Sequence, residues 1–382
     1  VPWSRADAGI MITASHNEPP FNGWKFIRPD GSVLHAEDMA TVQRRVRASG
    51  ALPDRPDRRF AVRSWAATSR RRYLEFLIGL IGPAHVRQIR RAQLRIAVDP
   101  NGGAAIVFLR PLLRALGVHA LEKGMAPGRF SRTVEPNAAA LSSLTTIVRN
   151  RRAVFGIGFD ADADRAGVVV STDRGTAMLD GNTLLALLIA SRLHRSPKPH
   201  PIVVLSDATS DRVRQIARAV GARVVDVGVG ESNVLRAMDR WQSPIGGEGT
   251  SGGAVIPPGR SRDGLAMLVL LLALVARSDQ SLGAIAQALP SRATLQTKVR
   301  IPPERITAVQ QQLRSLLRHA RTRTAGGTTG GIKVLTPGGW YWFRASRTEA
   351  GVYRIIADAP TATGARRLMA TARRLFAQAR YS

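Results

Sequence analysis

Short apolar runs of strand length alternate with longer stretches of helical periodicity through most of the chain. No other feature constrains the fold as strongly. "RIAVDP" reads as a strand running into the turn "NGG", and "AIVFLRPLLRALG" then reads as a helix ending at Gly117. "AVFGIGF" and "PIVVLSD" are further strands. The second is followed by "SDRVRQIARAVGA", whose Val213, Ile216, Ala217 and Val220 fall on one helical face, with Ser210 or Asp211 as the cap. "RVVDVGV" is the next strand. Units of this kind stack as α/β layers around largely parallel sheets. The last part differs. "GIKVLTPGGWYWFRAS" and "VYRIIADA" read as strands around a Gly-rich turn, and "TGARRLMATARRLFAQAR" reads as a closing helix, which makes an α+β module. Linkers are expected near 82–91, 172–181 and 291–303. There is no solenoid-type repeat.

With 382 residues, 44% of them hydrophobic, the chain can fill several domain cores. It has no Cys, so it has neither a disulfide framework nor a thiolate metal site. A reducing compartment fits that, and a cytoplasmic location is the expectation. The longest apolar run, "LAMLVLLLALVA" at 265–276, is short of the roughly 20 residues a membrane span needs. It reads as a buried helix, and no membrane partner is expected. The net charge of +29 raises polyanion binding. The Arg residues are scattered, however, with no basic tail and no recognised binding module. Nucleic acid is therefore not the expected partner. A phosphorylated small molecule also suits a positive field.

Four stretches carry chemistry. In "GFDADADRAG", Asp160, Asp162 and Asp164 follow an apolar strand. Carboxylates this close repel one another unless a cation sits among them, and hard divalent ions take oxygen ligands. An EF-hand loop would need Gly and Glu where Arg165 and Ser171 stand. Mg²⁺, which takes few protein ligands plus a phosphate oxygen, fits best; a solvated acidic turn is the plain alternative. In "TASHNEPPFNGWK", Ser15 follows the run "AGIMI", so its hydroxyl can be presented at a strand end. His16, Asn17 and Lys25 supply donors and a base, and Pro19 and Pro20 stiffen the backbone. A Ser next to a His in sequence is no protease dyad, because such partners meet in space. In "IGGEGTSGGAVIP", Glu248, Thr250 and Ser251 sit among glycines that let a ligand approach, and they suit sugar hydroxyls; a surface loop is the alternative. In "FRASRTEAGVYR", Arg344, Ser346, Arg347 and Thr348 surround a turn and make an anion site; a charged hairpin turn is the alternative.

Taken together and in this order, the four stretches resemble the α-D-phosphohexomutase superfamily. Its phosphoserine loop is like "TASHNPxxxNGxK", its metal loop like "DGDADR", its sugar loop contains "GGE", and its phosphate loop is like "RxSxTEP". The connecting "VDPNGGAA", "EPN" at 135–137, "VGESNV" at 229–234 and "RDG" at 262–264 also look familiar. The resemblance covers essentially the whole chain. It implies an α/β phosphohexomutase-like fold, with three α/β domains, the first truncated, and a C-terminal α+β domain around a central cleft. The boundaries implied are 1–86, 87–176, 177–292 and 293–382.

The resemblance also implies an isomerase that moves a phosphoryl group between C6 and C1 of a hexose phosphate. Phosphorylated Ser15 would act through a hexose 1,6-bisphosphate, which also serves as activator. Ser15, Asp160, Asp162 and Asp164 would hold Mg²⁺. His16, Lys25 and Arg165 would move protons or stabilise charge. Glu248, Thr250 and Ser251 would contact the sugar, and Arg344, Ser346, Arg347 and Thr348 the phosphate that stays put. The loops look most like the phosphoglucosamine mutase branch. Phosphomannomutase or phosphoglucomutase activity, or an impaired sugar-phosphate-binding fragment, are the alternatives. A monomer or a dimer is expected.

There are departures. Glu18 stands where a Pro is usual, Ala161 replaces a Gly, the sugar loop is one residue longer, and Arg347 and Ala350 are unusual. Only fourteen residues precede Ser15, where the family carries a long segment of first-domain strands. The expectation is a chain lacking that segment, with the strand "GIMITA" short of sheet neighbours.

Overall fold

The computed structural model describes residues 2–50, 62–194, 196, 198–250, 253–325, 330–346 and 349–381. The chain folds as two compact units, 1–178 with 258–283 and 179–257 with 284–382.

The first unit opens with β1 (Gly9–Ile12) and β2 (Trp24–Ile27), an antiparallel pair that places Met11 opposite Lys25. The two make a two-stranded sheet. Ile10 and Ile12 are well exposed, at 63% and 69%. Helices α1 (Ala36–Ala48), α2 (Ala66–Gly79) and α3 (Gly82–Ala92) follow. The last of these replaces the linker expected near 82–91. Pro83 lies in its first turn, where the missing N–H costs nothing, and Val86 and Ile89 are buried one turn apart.

Then come β3 (Arg95–Asp99), α4 (Ile106–Leu116), β4 (His119–Glu122), α5 (Ser142–Arg151), β5 (Gly156–Phe159), β6 (Ala166–Thr172) and β7 (Gly175–Met178). Their sheet runs β4-β3-β5-β6-β7. It is parallel from β4 to β5 and antiparallel beyond. The expected parallel order stops there because β5–β6 and β6–β7 are joined by turns too short for a crossover. The stretch 172–181, expected as a linker, therefore contains a strand. β5 is buried throughout and is followed at once by the buried Asp160.

The second unit starts with α6 (Gly181–Leu193), β8 (Ile202–Ser206), α7 (Asp211–Ala219), β9 (Arg223–Val227), α8 (Glu231–Trp241), β10 (Ile245–Glu248) and β11 (Gly253–Val255). The sheet order is β11-β10-β8-β9, with β11 antiparallel and the rest parallel. Ser210 is the α7 cap, its hydroxyl accepting from Arg212 N. The apolar run at 265–276 forms α9 (Gly264–Ala276) and returns to the first unit. Every residue from Gly264 to Val275 is buried, as its all-round hydrophobicity demands.

After the short α10 (Leu282–Gln287) come β12 (Ala293–Arg300), α11 (Ile306–Leu316), β13 (Thr322–Ala325), β14 (Gly331–Thr336), β15 (Gly339–Ala345), β16 (Val352–Ala359) and α12 (Ala362–Tyr381). The antiparallel order is β12-β16-β15-β14-β13. The linker expected near 291–303 is thus largely β12, fully paired with β16. Alternation along β15 sends Tyr341 and Phe343 to one core with Phe376 of α12. It sends Trp340 and Trp342 to the other, with Ala208. No helix among the described residues is long and apolar enough to cross a membrane.

Candidate functional site

The chain leaves β1 and turns sharply at Ser15, whose φ of +57° lies in the left-handed region. That conformation costs a non-glycine residue about 1 kcal/mol or more, so the surroundings must hold it. Thr13 does so. Its Oγ1 accepts from Ser15 N at 2.8 Å and donates to Asp162 Oδ2 at 3.0 Å. His16 Nδ1 lies 3.4 Å from Ser15 Oγ. Burial, then Arg165, push His16 below its ordinary pKa, so its ring is neutral at neutral pH. Glu18, unusual in the motif, ties the loop down: Val134 N donates to its Oε1 at 3.0 Å.

One carboxylate oxygen from each of Asp160, Asp162 and Asp164 lies within 4.8 Å of the others. Asp160 Oδ2, Asp162 Oδ1 and Asp164 Oδ1 are buried without a hydrogen-bond partner. Converging acceptors without donors are what a hard divalent cation satisfies, so these residues fit one. Burial first, then Asp164 and Asp162, push Asp160 up to about 8. A bound cation would reverse that shift.

Cations already flank the cluster. Lys25 Nζ donates to Asp162 Oδ2 at 2.7 Å and to Asp164 Oδ2 at 3.0 Å. Against burial, Asp164 and Asp162 hold Lys25 above its usual value, so it is charged. Burial would raise Asp164, but Arg262 and Lys25 outweigh it and hold the carboxyl low. Arg165 lies 3.4 Å from Glu135 and 3.8 Å from Asp164.

The N-terminus of α9 braces this loop. Gly264 N donates to Ala163 O at 2.9 Å. A Cβ on Gly264 would sit 2.8 Å from that oxygen and 2.9 Å from Phe159, so only glycine fits. Asp263 caps the helix and accepts from Tyr73 OH at 2.7 and 2.8 Å. Arg262 NH2 donates to Asp164 Oδ2 at 2.9 Å. Ala161, which replaces a motif glycine, is not among the positive-φ residues; Ala163 is, at +60°.

In the second unit Glu248 ends β10 and is 8% exposed. Its Oε1 accepts from Gly230 N, the residue before α8. Gly249 N donates to Thr209 Oγ1 at 3.2 Å, and Thr250 is half-buried just beyond. Arg344 lies near the end of β15, half-buried. Ser346 N donates to Val352 O at 2.7 Å and Ser346 Oγ accepts from Glu349 N at 3.2 Å, which closes the turn into β16. Ser251, Arg347 and Thr348 lie outside the described residues.

Ser15, His16, Lys25, Arg165 and the three aspartates are thus brought together within the first unit. Reading the sequence singled out neither Thr13 nor Arg262. Both stood inside quoted motifs, which was the available signal. Tyr73 lay in none.

Family models described as phosphoglucomutase/phosphomannomutase α/β/α domains I, II and III match residues 3–51, 71–175 and 180–293. A phosphoglucomutase/phosphomannomutase of Thermococcus kodakarensis is 29% identical over 368 residues, covering 94% of this chain and 76% of its own. A probable phosphoglucosamine mutase of the same organism is 30% identical over 379 residues, covering 98% and 80%. Among solved structures, a phosphoglucomutase/phosphomannomutase family protein from Burkholderia thailandensis superposes with a TM-score of 0.75 at 22% identity, over 98% of this chain and 77% of that one. Aspergillus fumigatus N-acetylphosphoglucosamine mutase, in complex with GlcNAc-6P and magnesium, gives 0.66 at 16% identity, over 99% and 90%. The chain belongs to the phosphoglucomutase/phosphomannomutase family of the α-D-phosphohexomutase superfamily. Its members are isomerases, and phosphohexomutase activity is what the family assigns to this chain.

Proposed function

We propose that the protein is a phosphoglucosamine mutase that interconverts glucosamine 6-phosphate and glucosamine 1-phosphate through phosphorylated Ser15 and a 1,6-bisphosphate. One observation carries this reading. The left-handed turn at Ser15 is pinned through Thr13 to Asp162, inside a triad whose three free oxygens are buried. A phosphoryl carrier and a cation site therefore share one scaffold. Phosphoryl transfer needs positioning and charge neutralisation more than covalent help.

The contacts of the first-unit residues support the following roles, and the motif resemblance supports the rest. Neutral His16 accepts the Ser15 proton, a role supported by its Nδ1 lying 3.4 Å from Oγ. Charged Lys25 and Arg165 neutralise the transferring group. Asp160, Asp162 and Asp164, with the Ser15 phosphate, would hold Mg²⁺, which supplies charge stabilisation to the transferring phosphoryl. Glu248, Thr250 and Ser251 contact sugar hydroxyls. Arg344, Ser346, Arg347 and Thr348 grip the resident phosphate, and a hexose 1,6-bisphosphate primes the enzyme. Relatives named phosphoglucosamine mutase support the amino sugar. The relative named phosphoglucomutase/phosphomannomutase supports mannose or glucose phosphates as the second reading.

The test is the intact mass before and after incubation with glucose 1,6-bisphosphate and Mg²⁺. The wild-type chain gains one phosphoryl group and Ser15→Ala gains none. A folded wild type that gains nothing overturns the mechanism. In coupled assays glucosamine phosphate gives the highest kcat/KM; a higher value for mannose or glucose phosphate selects the second reading.

A further inference from the structure

The second unit holds a cavity of about 580 Å³ that shares no lining residue with the four motif stretches. Three of its lining residues are buried and ionisable: Lys333 of β14, 5% exposed, Asp207, just past β8, 4% exposed, and Arg214 of α7, which is paired with Asp226. Lys333 Nζ donates to the Asp207 backbone oxygen at 2.7 Å and lies 3.8 Å from the Trp340 ring centroid. Among the described residues, no carboxylate forms an ion pair with it. Burial first, then Arg214, bring Lys333 down to about 7; Asp226, Asp211 and Asp207 pull the other way. The cavity thus contains an amine that is substantially neutral at physiological pH, and a neutral amine is a nucleophile.

Asp207 complements it. Its Oδ2 accepts from Trp342 Nε1 at 2.9 Å, while Oδ1 is buried without a partner. Burial raises its pKa above the ordinary carboxylate value. Two more lining residues, Arg218 of α7 and Arg323 of β13, are exposed to solvent. Guanidinium groups beside a neutral amine suit a ligand with a carbonyl at one end and a phosphate at the other.

We propose that this cavity is a second reactive site, where the Lys333 amine condenses with the aldehyde of a small phosphorylated carbonyl compound while Arg218 and Arg323 take its phosphate. The Nζ lone pair attacks the carbonyl carbon and a C–N bond forms. The carbonyl oxygen takes a proton from solvent, and the amine proton is lost to solvent. The carbinolamine then expels water to leave the imine, so no oxidant or reductant is needed. The inference stands independently of the role given to Ser15.

Pyridoxal 5′-phosphate is the probe, with borohydride to trap the imine and peptide mapping to locate it. The chain has five lysines, so each serves as a control for the others. With Lys333 near 7 against an ordinary 10.5, its neutral fraction at pH 7 is on the order of a thousand-fold larger than that of an unperturbed lysine. Labelling of Lys333 at pH 7 should outpace that of exposed Lys198 by at least about tenfold, with a pH midpoint near 7. Inorganic phosphate should compete, pyridoxal without its phosphate should label more slowly, and Arg323→Ala should slow the phosphorylated probe alone. Labelling no faster than at Lys198, or equal rates for the two probes, overturns the proposal. The map is read on the wild-type chain, so nothing depends on a Lys333 variant folding.

Discussion

Gly249 shows how closely one residue can be specified. A Cβ there would sit 1.9 Å from Asn182 Oδ1, which accepts from Ser210 N at 2.9 Å in a buried setting. Gly249→Ala must displace Asn182 and strand Ser210 N. A loss of about 2–3 kcal/mol is expected, seen as a lower urea midpoint, and Asn182→Ala in the same chain should recover part of it. Lys333 gives a second residue-scale test. Its folded value near 7 lies below the ordinary 10.5, so between those values the unfolded chain holds a proton that the folded chain does not. The penalty is complete below about pH 7, and stability rises with pH above it, by up to about 1.4 kcal/mol per pH unit from this one group. Lys333→Met should remove that slope; a variant with the wild-type slope contradicts it. Arg214 steepens the effect, and Asp226, Asp211 and Asp207 oppose it.

At the scale of elements, Asp358 explains why β12 is a strand rather than a linker. It is fully buried in β16 and accepts from Arg292 Nε at 2.7 Å, from Thr294 Oγ1 at 2.8 Å and from the Ser210 hydroxyl. One carboxylate thereby joins β12, β16 and the start of α7. Asp358→Ala leaves the half-buried Arg292 with only the longer contact to Asp211 Oδ2, 3.4 Å away, and a loss of about 3 kcal/mol is expected in chemical denaturation. Asp358→Asn should cost less, since it keeps an acceptor oxygen. Helices α4, α7, α9 and α12 were legible because apolar spacing records a buried face directly. Helix α3 was not, because Gly82-Pro83 punctuates the sequence whether the turn ends an element or begins one. β12 was missed for a related reason. Its burial alternates only partly, and its partner lies dozens of residues away.

For the whole molecule, the charge of +29 sets the response to ions. Self-repulsion is screened by salt, so the thermal midpoint should rise from low to physiological ionic strength. Mg²⁺ should act beyond that screening. At a hundredfold excess over its Kd a cation bound to the folded chain alone adds about 2.7 kcal/mol, and Asp160→Asn should abolish the excess while leaving the general salt effect. Equal responses of the two chains would argue against a site at the triad.

By itself the sequence determined the chemistry that is local in the chain. Three aspartates at alternate positions after an apolar strand, a serine in a stiff loop past another strand, and a carboxylate among glycines all announce themselves, because neighbours along the backbone remain neighbours in space. Contacts between distant segments leave no such trace. Arg262 reaches Asp164, Tyr73 reaches Asp263, Glu18 reaches Val134 N, and Lys333 settles against Asp207 and Trp340. Only tertiary packing decided these, since burial and the fields of remote charges exist only once the chain has folded back on itself.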